Sequence, residues 1–139
     1  PINRAVVRGG GWEPMEENTF ADSIAVGVPR NGDKALMAIR ESQGLAVNVS
    51  DREIMEAQQL LGRSCGVFGE PAGVTAAAGV KKLCEQGILG REETVVSVVT
   101  GNGLKDVANA IKACGEPISI PGDMNALLRA FSDSGIVVE

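Results

Sequence analysis

Three short segments carry the residues whose types and spacing could do chemistry. The first is Thr100-Gly101-Asn102-Gly103-Leu104-Lys105-Asp106, which directly follows the apolar run 94–99. A strand that passes through glycines into a helix is a common phosphate holder, because the helix N-terminus presents free amides. Here the pattern is incomplete. Asp106 stands where G-x-G-x-x-G needs its third glycine, and the G-K-[ST] ending of a P-loop is missing. Asp106 would also repel a phosphate placed at that helix start. A tight turn explains the glycines as well as a cradle does. Thr100 differs, because it ends a buried-strand pattern, and ligands of open α/β sheets bind at that edge. Its neutral hydroxyl can exchange a hydrogen bond with a ring nitrogen without adding charge, or it can cap its own turn. Lys105 could act as a nucleophilic amine only in a desolvating pocket. With Asp106 adjacent, a solvated or ion-paired lysine is the expected state.

The second segment, Gly66 to Gly79, places Glu70 just before Pro71, a favoured first residue of a helix. A carboxylate is favoured there by the helix dipole. The small residues that follow let a partner approach closely. Helix-start chemistry accounts for this pattern, and a ligand role for Glu70 stays open beside it. The third segment, Ser23 to Leu36, holds a loop set by Gly27 and Pro29, with Arg30 able to reach an anion or simply to face water.

Composition removes whole classes of function. The 139 residues carry 13 Lys and Arg against 18 Asp and Glu, a net charge of −5, and the longest basic cluster is Lys81-Lys82. Nucleic-acid surfaces need clustered cations, so a small molecule or protein is the expected partner. There is no histidine, which eliminates Ser-His and Cys-His nucleophile systems and makes a zinc site untenable with three scattered cysteines. Cys65, Cys84 and Cys114 are expected as buried thiols rather than disulfides. No apolar run nears the ~18 residues a membrane span needs, and a cytoplasmic protein is expected.

Stepping from helix to short strand, the pattern predicts the elements that position these segments. Ala5-Val6-Val7 reads as a short strand, followed by an irregular glycine-rich connection to residue 19. Helices are predicted from Asp33 to Gly44, from a Ser50/Glu53 capping box through Arg63, from Pro71 to Gly87, from Leu104 to Cys114 and from Asp123 to Ser134. On the second of these, Ile54, Ala57, Leu60 and Leu61 share one face. Strands are predicted at 45–49, 94–99, 117–120 and the apolar end 136–138. Helices alternating with short buried strands imply an α/β fold with an open, largely parallel, helix-covered sheet. Residues 1–139 read as a single domain or part of one, with 1–19 irregular and 20–139 forming the α/β portion.

The runs "SIAVGVPRNGDKALMAIRESQG", "VSDREIMEAQQLL", "GVFGEPAG" and "VVSVVTGNGLKD" resemble, in order and spacing, the C-terminal part of threonine synthases. These are pyridoxal-phosphate enzymes of the tryptophan-synthase-like fold. The resemblance extends from about Phe20 to Ile111, more loosely through "ISIPGDMNALLRAF", and weakly over the first nineteen residues. An E-P-A-G helix start is shared with threonine and serine dehydratases. T-G-x-G-L-K-D is narrower, since those relatives more often carry a serine-glycine-glycine-asparagine turn.

The resemblance implies cofactor-binding roles for two residues. Thr100 corresponds to the threonine that hydrogen-bonds the cofactor's pyridine nitrogen, and Glu70 to an acidic residue on the helix near it. The "SIAVGVPRN" loop is similar to one lying by the active site. The family's Schiff-base lysine motif and its phosphate loop are absent, and none of Lys34, Lys81, Lys82, Lys105 and Lys112 has the matching context. The chain, which opens at Pro1, is therefore expected to be part of a longer lyase of threonine biosynthesis. It is expected to hold no catalytic lysine of its own and to be inactive alone. The full enzyme would turn O-phosphohomoserine and water into threonine and phosphate, and a homo-oligomer is expected. A related dehydratase or β-replacement enzyme, or a non-catalytic binding or dimerisation module, is the alternative. A strand such as 94–99, deprived of sheet neighbours, should leave an exposed apolar patch.

Overall fold

Residues 1–136 are described by the structure, a computed structural model. Among them lie six α-helices, α1 Ile2–Arg8, α2 Gly32–Glu41, α3 Asp51–Cys65, α4 Pro71–Glu85, α5 Val107–Cys114 and α6 Met124–Asp133, and 3-10 turns at Asp22–Ile24 and Gly103–Asp106. Helix α3 packs along α4 and touches α5, while α1 packs on α2. The central cluster is built from Ala21, Ile54, Ala57, Val74 and Ala78, with Phe20, Val49, Leu61, Ala72 and Val99 around it. Small side chains dominate, so α3 and α4 approach closely. Gly79 of α4 lies against the side chain of Val47.

Helix α3 starts as its sequence dictates. The Ser50 hydroxyl accepts from the Glu53 amide at 3.3 Å, and the Ser50 amide donates back to the Glu53 carboxylate at 2.6 Å. Lys82 of α4 reaches the other carboxylate oxygen at 2.9 Å and also donates to the Asn48 carbonyl at 2.8 Å. One lysine thus ties α4 to the α3 cap and to the segment before it. The Ser50 amide, then Lys82 and the Ser50 hydroxyl, pull the Glu53 carboxyl down from 4.5 to about 2. A depressed native value means that this group's contribution to stability is complete above about pH 4.5 and disappears as the pH falls through about 2. We expect the stability difference between wild type and Glu53→Gln, followed by urea unfolding of the full-length protein, to shrink steadily across that window.

Several expectations need correction. Ala5-Val6-Val7 lies in α1, not in a strand, so residues 1–19 are not wholly irregular. Without a neighbouring strand, three residues cannot pair their amides in a ladder, whereas a helix satisfies them internally and buries Ala5. Leu60 is 48% exposed; the inward face of α3 is completed by Gln58 instead. The three cysteines are free, as expected, but exposed rather than buried, each falling in the last turn of its helix.

The sheet is the largest difference. Among the described residues there is no β-strand, only an isolated antiparallel bridge between Gly69 and Asn102. Segments 45–49, 94–99 and 117–120 are non-helical and unpaired. In the expected patch, Val95 is 44%, Val96 85% and Val98 65% exposed, while Val99 packs on the core. Exposure on both sides of an apolar segment is what a strand shows when it has neither sheet neighbours nor covering helices. Of the terminal apolar run 136–138, only Ile136 is among the described residues.

Candidate functional site

The chain brings two of the singled-out segments into direct contact. Residues 68–70 and 101–103 run antiparallel for one bridge. The Glu70 amide donates to the Gly101 carbonyl and the Gly103 amide to the Phe68 carbonyl, both at 2.9 Å. The contact is close because of three glycines. A Cβ on Gly101 would fall inside the Glu70 carboxylate, and one on Gly103 inside the Phe68 ring. A Cβ on Gly73, one turn into α4, would lie 2.9 Å from both the amide nitrogen and the carbonyl oxygen of Gly101. The glycines of the turn make room for Glu70 and Phe68 rather than for a ligand.

Glu70 is the N-cap of α4, with Pro71 at the first helical position. Its side chain makes no cap bond. It is buried, 6% exposed, and pairs at 2.8 Å with Lys105, whose side chain is 59% exposed. Lys105 is therefore ion-paired, as expected, but to Glu70 across the turn rather than to its neighbour Asp106. Asp106 instead caps α5, accepting from the Asn109 amide at 3.2 Å and from its side-chain nitrogen at 2.7 Å. Asn109 reaches on to the Phe20 carbonyl at 3.4 Å.

These groups surround a hollow of about 380 Å³. Its walls come from the 3-10 turn (Asp22, Ser23), the start of α4 (Glu70 to Ala72) and the turn into α5 (Lys105, Asp106, Asn109). All three segments that carry chemistry in the sequence thus contribute to one place. A larger groove of about 1090 Å³ is formed by residues 14–17 and 23–30. Ser23 lines both, but Arg30 lines only the groove. The smaller hollow is the better candidate, because a buried carboxylate and its cation meet there.

Thr100 precedes this interlock immediately. It is exposed, and no hydrogen bond ties its hydroxyl to another described residue. The turn is capped by Asn102 instead, whose side chain accepts from the Leu104 amide at 2.9 Å. Thr100 does not line the hollow; only Gly101 separates it from the Glu70 carboxylate's contact. Sequence reasoning missed Asn109 and Gln58. Gln58 is buried, and its side-chain nitrogen donates to the Gly69 carbonyl at 2.8 Å, steadying the residue before Glu70. Its signal was a polar residue four positions after Ile54 on an otherwise apolar face. The signal for Asn109 was its place three residues after the capping Asp106.

Among the described residues no group of histidine, cysteine or carboxylate side chains could hold a metal ion. No helix among them is long and apolar enough to cross a membrane.

Comparison with known proteins gives a consistent answer. A family model described as pyridoxal-phosphate dependent enzyme matches residues 3–101, reaching further into the first nineteen residues than the resemblance alone suggested. The threonine synthase of Methanocaldococcus jannaschii is 50% identical over 115 residues, 83% of this chain and 28% of that protein. That of Methanosarcina acetivorans is 43% identical over 133 residues, 94% of this chain and 33% of its own length. That of Halalkalibacterium halodurans is 40% identical over 114 residues, 81% and 32% of the two lengths. The chain thus spans about a third of the length of these relatives. With the family model covering residues 3 to 101, the chain belongs to the pyridoxal-phosphate dependent enzymes.

Proposed function

We propose that the chain is the C-terminal part of a threonine synthase, in which O-phosphohomoserine and water become threonine and phosphate. The observation that carries this reading is 50% identity, over most of the chain, to a protein of that name. In the reaction the Cγ–O bond to phosphate breaks and water adds its hydroxyl at Cβ. Bound pyridoxal phosphate supplies an electron sink for carbon acids next to the substrate's amino group.

The residues present fit the ring edge of such a cofactor and not its phosphate. Thr100 offers an exposed hydroxyl with no hydrogen bond to another described residue, suited to the pyridine nitrogen. Because a hydroxyl cannot hold that nitrogen protonated as a carboxylate would, it keeps the ring a milder sink, in line with β- and γ-chemistry. Glu70, buried against Gly101, sits beside this position. The space over Gly101 and Gly103 is filled by Glu70 and Phe68, so the turn has no seat for a phosphate.

The lysine that anchors the cofactor lies, on this reading, outside these 139 residues. In support, Lys81 pairs with Glu85 at 2.6 Å, Lys82 with Glu53 at 2.9 Å and Lys105 with Glu70 at 2.8 Å. Lys112 donates to Asn109 at 3.1 Å. Only Lys105 lines the hollow, and its ammonium is committed to Glu70. Residues 1–139 then form one contiguous part of a domain. Segments 45–49, 94–99 and 117–120 take their places in an open, largely parallel, helix-covered sheet with the remainder of the protein.

The test is the full-length protein given O-phosphohomoserine, with release of phosphate and formation of threonine followed together. Thr100→Val should lower kcat/KM about 10- to 100-fold, the loss of one hydrogen bond to the ring nitrogen, and should shift the cofactor's visible absorbance. Conversion of serine or threonine to a keto acid without turnover of O-phosphohomoserine would replace this reading by a dehydratase.

A further inference from the structure

We propose that Lys105 is a positioning residue: it latches Glu70 against the glycine turn and thereby holds Thr100 in place for the cofactor. The proposal rests on the functional reading above and gives Lys105 a role that acts through Glu70.

The geometry is a closed loop of contacts. Glu70 binds the turn at two points, its amide on the Gly101 carbonyl at 2.9 Å and its carboxylate on the Lys105 ammonium at 2.8 Å. The segment between, Gly101 to Lys105, is held at both ends by one residue of α4's start. Its middle is held by Phe68, which accepts from the Gly103 amide. The carboxylate occupies the space that a side chain on residue 101 would take. Outward movement of the carboxylate would therefore empty the space packed against Gly101, and Thr100 is bonded directly to Gly101.

Burial makes the latch one-sided. The Glu70 side chain is 6% exposed, and Lys105 is the only cation paired with it among the described residues. Lys105, largely exposed, can return to water at little cost. Without it Glu70 would be a buried charge with no partner, which is strongly unfavourable. Removing the lysine charge thus drives the carboxylate out of its seat, whereas an ordinary surface pair would only relax. The neighbouring acids strengthen this requirement, since Asp22 and Asp106 line the same hollow and Lys105 is its only lysine or arginine.

Two readouts on the full-length protein separate this from a purely structural ion pair. In the first, unfolding of the cofactor-free protein is measured for Lys105→Met, Glu70→Gln and the double variant, and non-additivity is expected. In the second, pyridoxal phosphate is titrated and its visible absorbance recorded. Lys105→Met should bind it about tenfold more weakly, with a shifted band, and Lys105→Arg should restore most of both. Additive stability effects, or coupling between 70 and 105 with an unaltered cofactor band, overturn the latch. If Lys105→Met is silent while Thr100→Val shifts the band, the latch fails and the functional reading stands. If both variants are silent, the reading of Thr100 fails and the latch falls with it.

Discussion

Gly73→Ala is expected to destabilise the full-length protein by about 1–2 kcal/mol and to disturb cofactor binding with it. Inside a helix, alanine is better than glycine by up to about 1 kcal/mol, so propensity alone predicts the opposite sign. Packing decides. The added methyl would meet the Gly101 amide nitrogen and carbonyl oxygen, each at 2.9 Å, and the Glu70 side chain at 3.4 Å. Backbone atoms cannot turn aside as a side-chain tip can, and the Gly101 carbonyl is held by the Glu70 amide. The turn must move away from α4, and Thr100 moves with it. Gly62→Ala in α3 is the internal contrast, since a Cβ there meets nothing within 4 Å. That change should stabilise by roughly 0.5–1 kcal/mol. Urea unfolding of the two variants gives opposite shifts if the interlock is as described. Stabilisation by Gly73→Ala would mean that α4 and the turn are not in contact.

The largest loss of stability is expected for Ile54→Ala, about 2–5 kcal/mol. Ile54 is 2% exposed and is the largest side chain in a central cluster otherwise made of three alanines and Val74. Alanine methyls cannot reach into the space an isoleucine leaves, so the cavity stays open and its lining loses dispersion contacts. Ile54→Val should cost only about 0.5–1.5 kcal/mol. Leu60→Ala, on the exposed side of the same helix, should change stability by about 0.5 kcal/mol or less. A fall in the urea midpoint with constant slope identifies the first as a loss of stability rather than of cooperativity. Equal effects at 54 and 60 would show that α3 faces the core by a different side.

Much of the helical framework was legible in the residues. The capping box at Ser50 and Glu53, Pro71 at the head of α4 and the capping acids Asp106 and Asp123 act over three or four residues, a range at which chain order settles the partners. Hence α2, α3, α4 and α6 fall close to where their patterns place them, while α5 starts three residues later than expected, behind a 3-10 turn that ends at its cap Asp106. Ala5-Val6-Val7 failed because three β-branched or small residues carry too little pattern to separate strand from helix, and a helix that buries Ala5 and packs on α2 settled it. The cysteines failed for a related reason. Composition favours buried thiols, but the face of the helix decides: in the last turn of α5, Ala113 is buried while the adjacent Cys114 is exposed.

Strand pairing is the clearest case of what local pattern cannot supply. The run 94–99 has the composition of a doubly covered strand, and that property belongs to its residues. Whether a ladder forms depends on other strands being beside it, and none is present among the described residues. The exposed valines are the visible consequence of that dependence.

The candidate site divides along the same line. Glu70 at a helix start, Thr100 at the end of an apolar run and the imperfect glycine turn are statements about neighbours in the chain, and residue order is enough to read them. That Lys105 answers Glu70 from 35 residues away, and that Gly73 leaves room for the Gly101 backbone and Gly101 for the Glu70 carboxylate, are statements about neighbours in space. Those contacts exist only once α4 and the turn have been brought together, because close approach and ion pairing act over a few ångströms, whatever the separation along the chain.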